Sequence, residues 1–391
     1  MKFVGRSILV VSPDFPYPPN HGGRVDIWNR IRALKNIGFT IDLVATVKVN
    51  PQSEDIEHVK SHVRTVYCCR RRNRIIDMLS LLPLQIKSRK GLKAIRLYAE
   101  YDIVLLEGEY TYLILGNSTL RTKVKIVRIH NNEQQYFKEL CRSAGKGIRK
   151  LYYFLESLRL GRVSRLMRNQ VAMMMFISRD EHTAFKNNHP EISSVVLPPC
   201  LTNQTFIVHG QDSKKVLFVG SFFMVNNREA LVWYIKNVHP LLCAIEGYEF
   251  LVAGNSRGQD LGWLNELTSA YSNIRVYNSP PDISPLYETC SIFVNPMLHG
   301  TGVKLKTVEA VQNGLPVVST TIGNQGTGFR HGTDILVADE PQMFADHVCR
   351  LLMNPQERKR IVASAQKFLK ANYDQEKLLA RFLSPLLECN N

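Results

Sequence analysis

Short runs of continuous hydrophobicity alternate with amphipathic stretches along most of the chain. Ser7–Ser12 (SILVVS), Thr40–Ala45, Ile103–Leu106, Val124–Ile129 and Met173–Ile177 are the first such runs. Segments of helical period separate them, the first from about Arg24 to Asn36. After Thr205 the pattern restarts with Val216–Val219, Phe250–Ala253, Ile274–Val276, Ile292–Val294 and Val317–Ser319. Unbroken apolar runs, rather than every-other-residue alternation, mark strands buried on both faces, and strand–helix alternation marks a parallel sheet. Two series predict an α/β chain of two Rossmann-like, doubly wound domains over residues 1–205 and 206–370. The polar stretch Pro198–Ser213 carries the boundary. A helical pattern over about Gln356–Leu387 ends the chain, and its last part, residues 371–391, is expected to pack back across the linker. Ligands of doubly wound sheets bind beyond the carboxyl ends of the strands, so the loops that follow each strand carry the search for chemistry.

Composition narrows the class. With 391 residues, 45% hydrophobic and 21% charged, the chain is long enough for two large cores and too apolar for general disorder. Its longest apolar stretch, Val171–Ile177, falls far short of the roughly 20 residues that span a bilayer. The opening MKFVGRSILVVSPDF reads as a first core strand rather than a signal peptide. Eight Cys show no zinc or disulfide spacing, which points to a reduced, cytoplasmic protein.

The formal charge of +16 lies in one half. Residues 1–200 hold 33 Lys and Arg against 17 Asp and Glu, whereas residues 201–391 hold 17 against 17. The first half is therefore expected to face something anionic. Its densest basic stretches are Arg70–Arg74, Lys87–Lys93 and Arg149–Arg168. The last reads as a helix in which Leu151, Phe154, Leu155, Leu158 and Leu166 stand among arginines. It is either a solvated basic face over a core stripe or a membrane-surface patch. No helix-turn-helix, zinc-finger or RRM-type motif accompanies the charge, so nucleic acid is not expected as a partner.

Four loops after strands hold candidate residues. In PDFPYPPNHGGR, Gly22-Gly23 precede a helix and let backbone N–H groups approach a phosphate, or form a tight turn. His130-Asn131-Asn132-Glu133 follows Val124–Ile129; His130 is placed to bond sugar hydroxyls, and the two Asn are equally suited to helix capping. Gly220 and Ser221 end FVGS, with Asn226-Asn227 opening the next helix. The fourth loop is the most specific. It runs from Asn295 through Gly300, Thr301, Gly302, Val303, Lys304 and Lys306 to Glu309, then Asn313-Gly314-Leu315-Pro316-Val317-Val318. A helix is expected from near Val303 with both lysines in its first turn. Cations there are unfavourable without a compensating anion, so the loop reads as a diphosphate seat. Glu309, one turn beyond Lys306, can accept two hydrogen bonds from a ribose diol. Diphosphate plus ribose is a nucleotide.

The two-domain pattern and the segment NP…G-x-G-x-K-x-K-x-x-E-A…G-x-P-V-V, with FVGS…N…W before it, resemble the family-4 retaining glycosyltransferases of the GT-B fold. The resemblance is strongest from Lys215 to Gly328, and the first loop is similar to that group's glycine-rich loop. It implies two Rossmann-like domains facing across a cleft and metal-independent transfer of a sugar from a nucleotide-diphosphate sugar, with retention. No cofactor or metal is implied, and Lys304 and Lys306 would stand in for Mg²⁺. Glu309 matches the second Glu of the group's E-x7-E motif; the first would fall at Thr301, which departs from the pattern. The Arg and Lys common after the FVG strand are replaced by Ser221 and Asn226-Asn227.

In such a site Gly22-Gly23 and Gly300–Lys306 hold the diphosphate, and Gly220 and Ser221 approach the nucleotide. His130 lines the donor-sugar pocket, and Lys304 and Lys306 stabilise the leaving group. The acceptor implied is a glycan or lipid-linked glycan at the inner face of the cytoplasmic membrane, as in surface polysaccharide or lipopolysaccharide assembly. Arg70–Arg74, Lys87–Lys93 and Arg159–Arg168 would then meet anionic lipid. A nucleotide-sugar 2-epimerase and a non-catalytic binding protein of the same fold are the alternatives.

Overall fold

The computed structural model describes the chain apart from residues 1, 20–21, 73, 75–76, 78–79, 146, 202–205, 208–212, 301 and 389–391. It divides into two compact units, residues 1–202 with 373–391, and residues 203–372.

The first unit is built on β1 (Ser7–Ser12), β2 (Thr40–Val47), β3 (Thr65–Arg70), β4 (Glu100–Glu107), β5 (Arg121–Ile129), β6 (Met173–Phe176) and β7 (Ser194–Val196). They form one parallel sheet in the order β3-β2-β1-β4-β5-β6-β7. β1 shows why its sequence is unbroken in hydrophobicity. Ile8 and Val10 enter one core with Ile31 and Leu34, while Leu9 and Val11 enter the opposite one with Val163 and Met167. The helix Gln375–Glu388 completes the first of these cores with Leu379, Leu383 and Leu387. The helical stretch expected over about 356–387 is thus two helices, Pro355–Asn372 in the second unit and Gln375–Glu388 in the first.

The second unit holds β8 (Lys215–Val219), β9 (Glu249–Gly254), β10 (Ile274–Asn278), β11 (Ile292–Asn295), β12 (Val317–Ser319) and β13 (Leu336–Val337). The order is β10-β9-β8-β11-β12-β13, again parallel. In each sheet the order reverses beside its first strand, at β1/β4 and at β8/β11. Successive loops leave such a switch point in opposite directions and open a crevice there.

β3, β7 and β13 are absent from the sequence expectation. β3 (TVYCCR) runs straight into arginines, and β7 and β13 are edge strands of three and two residues. The larger correction concerns the basic helix, which spans Ile148–Arg168. Its buried stripe is Glu156, Ser157, Leu160, Val163 and Met167, spaced at helical period. Leu151 (56% exposed), Phe154, Leu155, Leu158 (52%) and Leu166 instead face outward among the arginines. The core-stripe reading of those five residues therefore fails. Among the described residues, no helix is long and apolar enough to cross a membrane.

Candidate functional site

In the second unit the crevice beside β8 and β11 gathers most of the residues the sequence singles out. Gly300 and Gly302 have φ of +127° and +76°, conformations that side chains rarely adopt. They turn the chain so that the helix starts at Leu305 and runs to Gln312, two residues later than expected. Lys304 therefore sits at the helix boundary (φ −85°, ψ 81°) rather than in the first turn, and only Lys306 occupies that turn. The Lys304 ammonium reaches back to the carbonyls of Gly300 (3.0 Å) and Gly302 (3.1 Å).

Lys306 points the other way, toward the end of β8. Its ammonium donates to Asn227 Oδ1 (2.6 Å) and lies 4.7 Å from the centre of the Phe218 ring. Asn227 Nδ2 in turn donates to the carbonyl of Ser221 (3.0 Å). A methyl group at Gly220 would stand 2.9 Å from the Lys306 ammonium and from Asn227, and one at Gly300 2.9 Å from the Asn226 amide. At Gly300 the positive φ favours glycine, and at Gly220 a side chain would displace Lys306 and Asn227. Gly220, Ser221, Gly300, Gly302, Val303, Lys304, Lys306 and Glu309 thus belong to two adjoining loops and one helix. Thr301 lies outside the described residues.

The electrostatics are those of an anion seat. Lys304 is 5% exposed, and burial pushes its ammonium down to about 8. Burial pushes Lys306 down to about 7; Glu309 opposes that shift and Lys304 adds to it. Two desolvated cations beside a helix N-terminus would be relieved by an anion of matching size.

The first unit has its own crevice, a cavity of about 210 Å³ at the carboxyl ends of β1, β4 and β5. Gly23 and His130 both line it. Gly22 and Gly23 do not precede the first helix, as expected, but are its first two residues (Gly22–Asn36), in the turn whose N–H groups have no intrahelical acceptor. His130 Nε2 lies 2.8 Å from Glu107 Oε2, and Nδ1 lies 3.7 Å from Asp26. Asn132 caps the following helix by accepting from the Gln135 amide (2.9 Å), the bland reading of that residue.

Behind His130 stands a fully buried set of charges. Arg30 bonds Glu107 Oε1 (2.6 Å) and Asp26, and Arg128 bonds Asp26 (3.1 Å). Burial alone would raise the Asp26 and Glu107 carboxyls, but the guanidiniums outweigh it: Asp26 falls far below its ordinary value and Glu107 to about 2. Asp26, Glu107 and His130 could present ligand atoms within 4.8 Å of one another. Both carboxylates already balance two guanidiniums, so this donor set is poorly suited to a further cation. Around the cavity, burial raises the Glu109 carboxyl to about 7 and also raises that of Glu133, which accepts from Tyr110 (2.5 Å).

Comparison with known proteins settles the broad class. Residues 213–354 match the family of glycosyl transferases group 1. A Klebsiella pneumoniae protein described as an uncharacterized 44.6 kDa protein in the cps region is 37% identical over 382 residues, covering 95% of this chain and 98% of that one. The chain carries a glycosyl transferases group 1 domain. This glycosyltransferase also shares its fold with TarM (TM-score 0.72, 11% identity, 99% of both chains) and with the Thermosynechococcus elongatus sucrose-phosphate synthase (0.70, 15%, 98% of both). HepE of Anabaena, solved with UDP and glucose, is similar at a TM-score of 0.66 and 13% identity, over 97% of this chain and all of that one. These neighbours are GT-B glycosyltransferases, and the two parallel-sheet units are those of that fold.

Sequence reasoning named Asn227 only as the opening of a helix, and it overlooked Glu107, Glu109 and Tyr110 in this glycosyltransferase. The signal for the carboxylates was a charge set at the end of a buried strand (IVLLEGEY), where only function or pairing keeps it. Glu107→Gln leaves Arg30 short of a counter-charge in the core and is expected to lower unfolding free energy by about 3 kcal/mol. Urea denaturation followed by tryptophan fluorescence reads this loss.

Proposed function

We propose that the protein is a retaining transferase that moves a sugar from a nucleotide-diphosphate donor to a glycan or lipid-linked acceptor at the cytoplasmic membrane face. The observation that carries this reading is the convergence of Lys304, Lys306, Gly220 and Gly300 at the N-terminus of the Leu305–Gln312 helix. The donor diphosphate lies against the Lys304 and Lys306 ammoniums, and Glu309 accepts from the ribose diol. As the bond from the sugar to phosphate breaks, negative charge gathers on the diphosphate. Lys304, Lys306 and the helix N–H groups stabilise it, in the role a divalent cation plays elsewhere. The acceptor hydroxyl bonds the sugar carbon on the face the diphosphate leaves, and its proton passes to a phosphate oxygen. Glu107 orients His130 for a sugar hydroxyl. The UDP bound in HepE supports a nucleotide donor, and the cps-region relative supports a role in surface polysaccharide assembly.

Calorimetric titration with UDP, GDP, ADP and CMP, without metal, tests the donor half. One of them is expected to bind at micromolar Kd, at least tenfold weaker in Glu309→Ala. If none binds, the transferase reading falls.

The lysines also set a pH dependence. Both ammoniums are depressed, to about 7 and 8, and an anion favours the protonated form. Nucleotide affinity is therefore complete below pH 7 and falls as pH rises toward 9, by on the order of tenfold per unit for each proton taken up on binding. A flat profile over pH 7–9 would remove the lysines from the phosphate site.

The outward Leu151, Phe154 and Leu158, set among Arg159, Arg162 and Arg165, support peripheral membrane binding. The protein is expected to pellet with phosphatidylglycerol vesicles at low salt. Replacing those three residues by Ser should cut the pelleted fraction severalfold, and an absence of pelleting in the wild type would refute the membrane part.

A further inference from the structure

Two of the basic stretches do not end in solvent. Arg89, from the Lys87–Lys93 run, is 2% exposed, and Arg71, from the Arg70–Arg74 run, is half-buried. Both turn toward the first loop at the carboxyl ends of β1, β2 and β3. Arg89 donates to Thr46 Oγ1 (3.0 Å), to the Gln85 carbonyl (2.5 Å) and to the Pro13 carbonyl (3.1 Å). Arg71 also donates to the Pro13 carbonyl, and so does the Thr46 hydroxyl (2.7 Å).

One carbonyl with two lone pairs thus receives three donors. The Arg71 Nε atom is buried and has no hydrogen-bond partner among the described residues. A third guanidinium, Arg24, joins the group through Asp14 Oδ2 (3.1 and 3.0 Å). Among the described residues neither Arg71 nor Arg89 pairs with a carboxylate. Three guanidiniums therefore share one carboxylate, Asp14. Burial and mutual repulsion lower the Arg89 guanidinium to about 9, and burial lowers that of Arg71 as well. This is an excess of donors and of positive charge, held in place where parallel sheets receive ligands. Pro13, Asp14 and Arg24 also line the cavity that contains His130, and Arg89 lies 5.3 Å from the centre of the ring of Tyr110, another lining residue.

We propose that Arg24, Arg71 and Arg89 form a second anion site, which binds a phosphate carried by the acceptor. This rests on the transferase reading, in which Lys304 and Lys306 already serve the donor diphosphate. Arg71 supplies the open donor, Arg89 supplies charge from behind, and Arg24 exchanges Asp14 for the phosphate. The acceptor is then a phosphorylated glycan, or one joined to lipid through phosphate.

Calorimetric titration of the full chain with inorganic phosphate tests the site, first alone and then with saturating UDP. One phosphate is expected to bind in the presence of UDP. The affinity should fall at least tenfold in Arg71→Gln and rise severalfold in Asp14→Asn, a gain that misfolding does not produce. Lys306→Ala should retain the UDP-independent phosphate site, so a failure of UDP to bind and a failure of this site are separate results. Phosphate affinity equal in wild type and Arg71→Gln overturns the proposal, as does no binding. Reduced pelleting of Arg71→Gln with phosphatidylglycerol vesicles, at unchanged phosphate affinity, also overturns it and assigns the arginines to the lipid surface.

Discussion

A parallel strand covered on both faces can keep a charge only at its ends or in a fully paired set. That constraint shapes both units. β1 sends alternate residues into two different cores, so its interior is apolar throughout. Polar chemistry is then displaced to the loops beyond the carboxyl ends, and the reversal of strand order at β1/β4 and β8/β11 opens the space for it. Glu107 and Asn295 are the last residues of their strands, and both stand beside these crevices. Buried charges inside the strands of the first unit are paired: Arg128 on β5 gives its guanidinium to Asp26 and two backbone carbonyls, and Asp42 on β2 accepts from Arg64 and the Tyr101 hydroxyl.

What could be read in advance follows the same physics. Strands with continuous apolar runs were legible: Ser7–Ser12 and Val317–Ser319 coincide with β1 and β12. The glycine-lysine-glutamate segment stood out because its residue types conflict with ordinary helix electrostatics. β3 was hidden by the arginines that end and follow it. The face of the Ile148–Arg168 helix stayed open because leucines occur on both sides, and only packing decides which side is buried. The shift of the Leu305 helix was also invisible: two left-handed glycines delay its start, and backbone sign is not written in a residue name.

Side-chain contacts explain the departures from the familiar motif. Where an Arg and a Lys are common after the FVG strand, this chain has Ser221 and Asn226-Asn227. Asn227 bridges the Ser221 carbonyl to the Lys306 ammonium, so the charge comes from a different element while the loop remains tied to it. Gly220 is compatible with this because any side chain would collide with that bridge.

The two units also use different cations, and the difference has consequences. Lysine is a compact charge that gives up its proton more readily when water is excluded, so burial weakens the charge on Lys304 and Lys306 near neutral pH and an anion restores it. Guanidinium keeps its charge under the same burial and offers several donors in a fixed plane. Arg30 and Arg128 use that property to neutralise carboxylates and hold the core beneath His130. Arg71 and Arg89 keep the charge but lack the carboxylates, which is why an excess persists at the first loop and not beneath His130. A basic first half is therefore not one feature. It is a paired internal set, an outward face with exposed leucines, and a donor-rich corner beside a cavity, three arrangements that total charge alone does not separate.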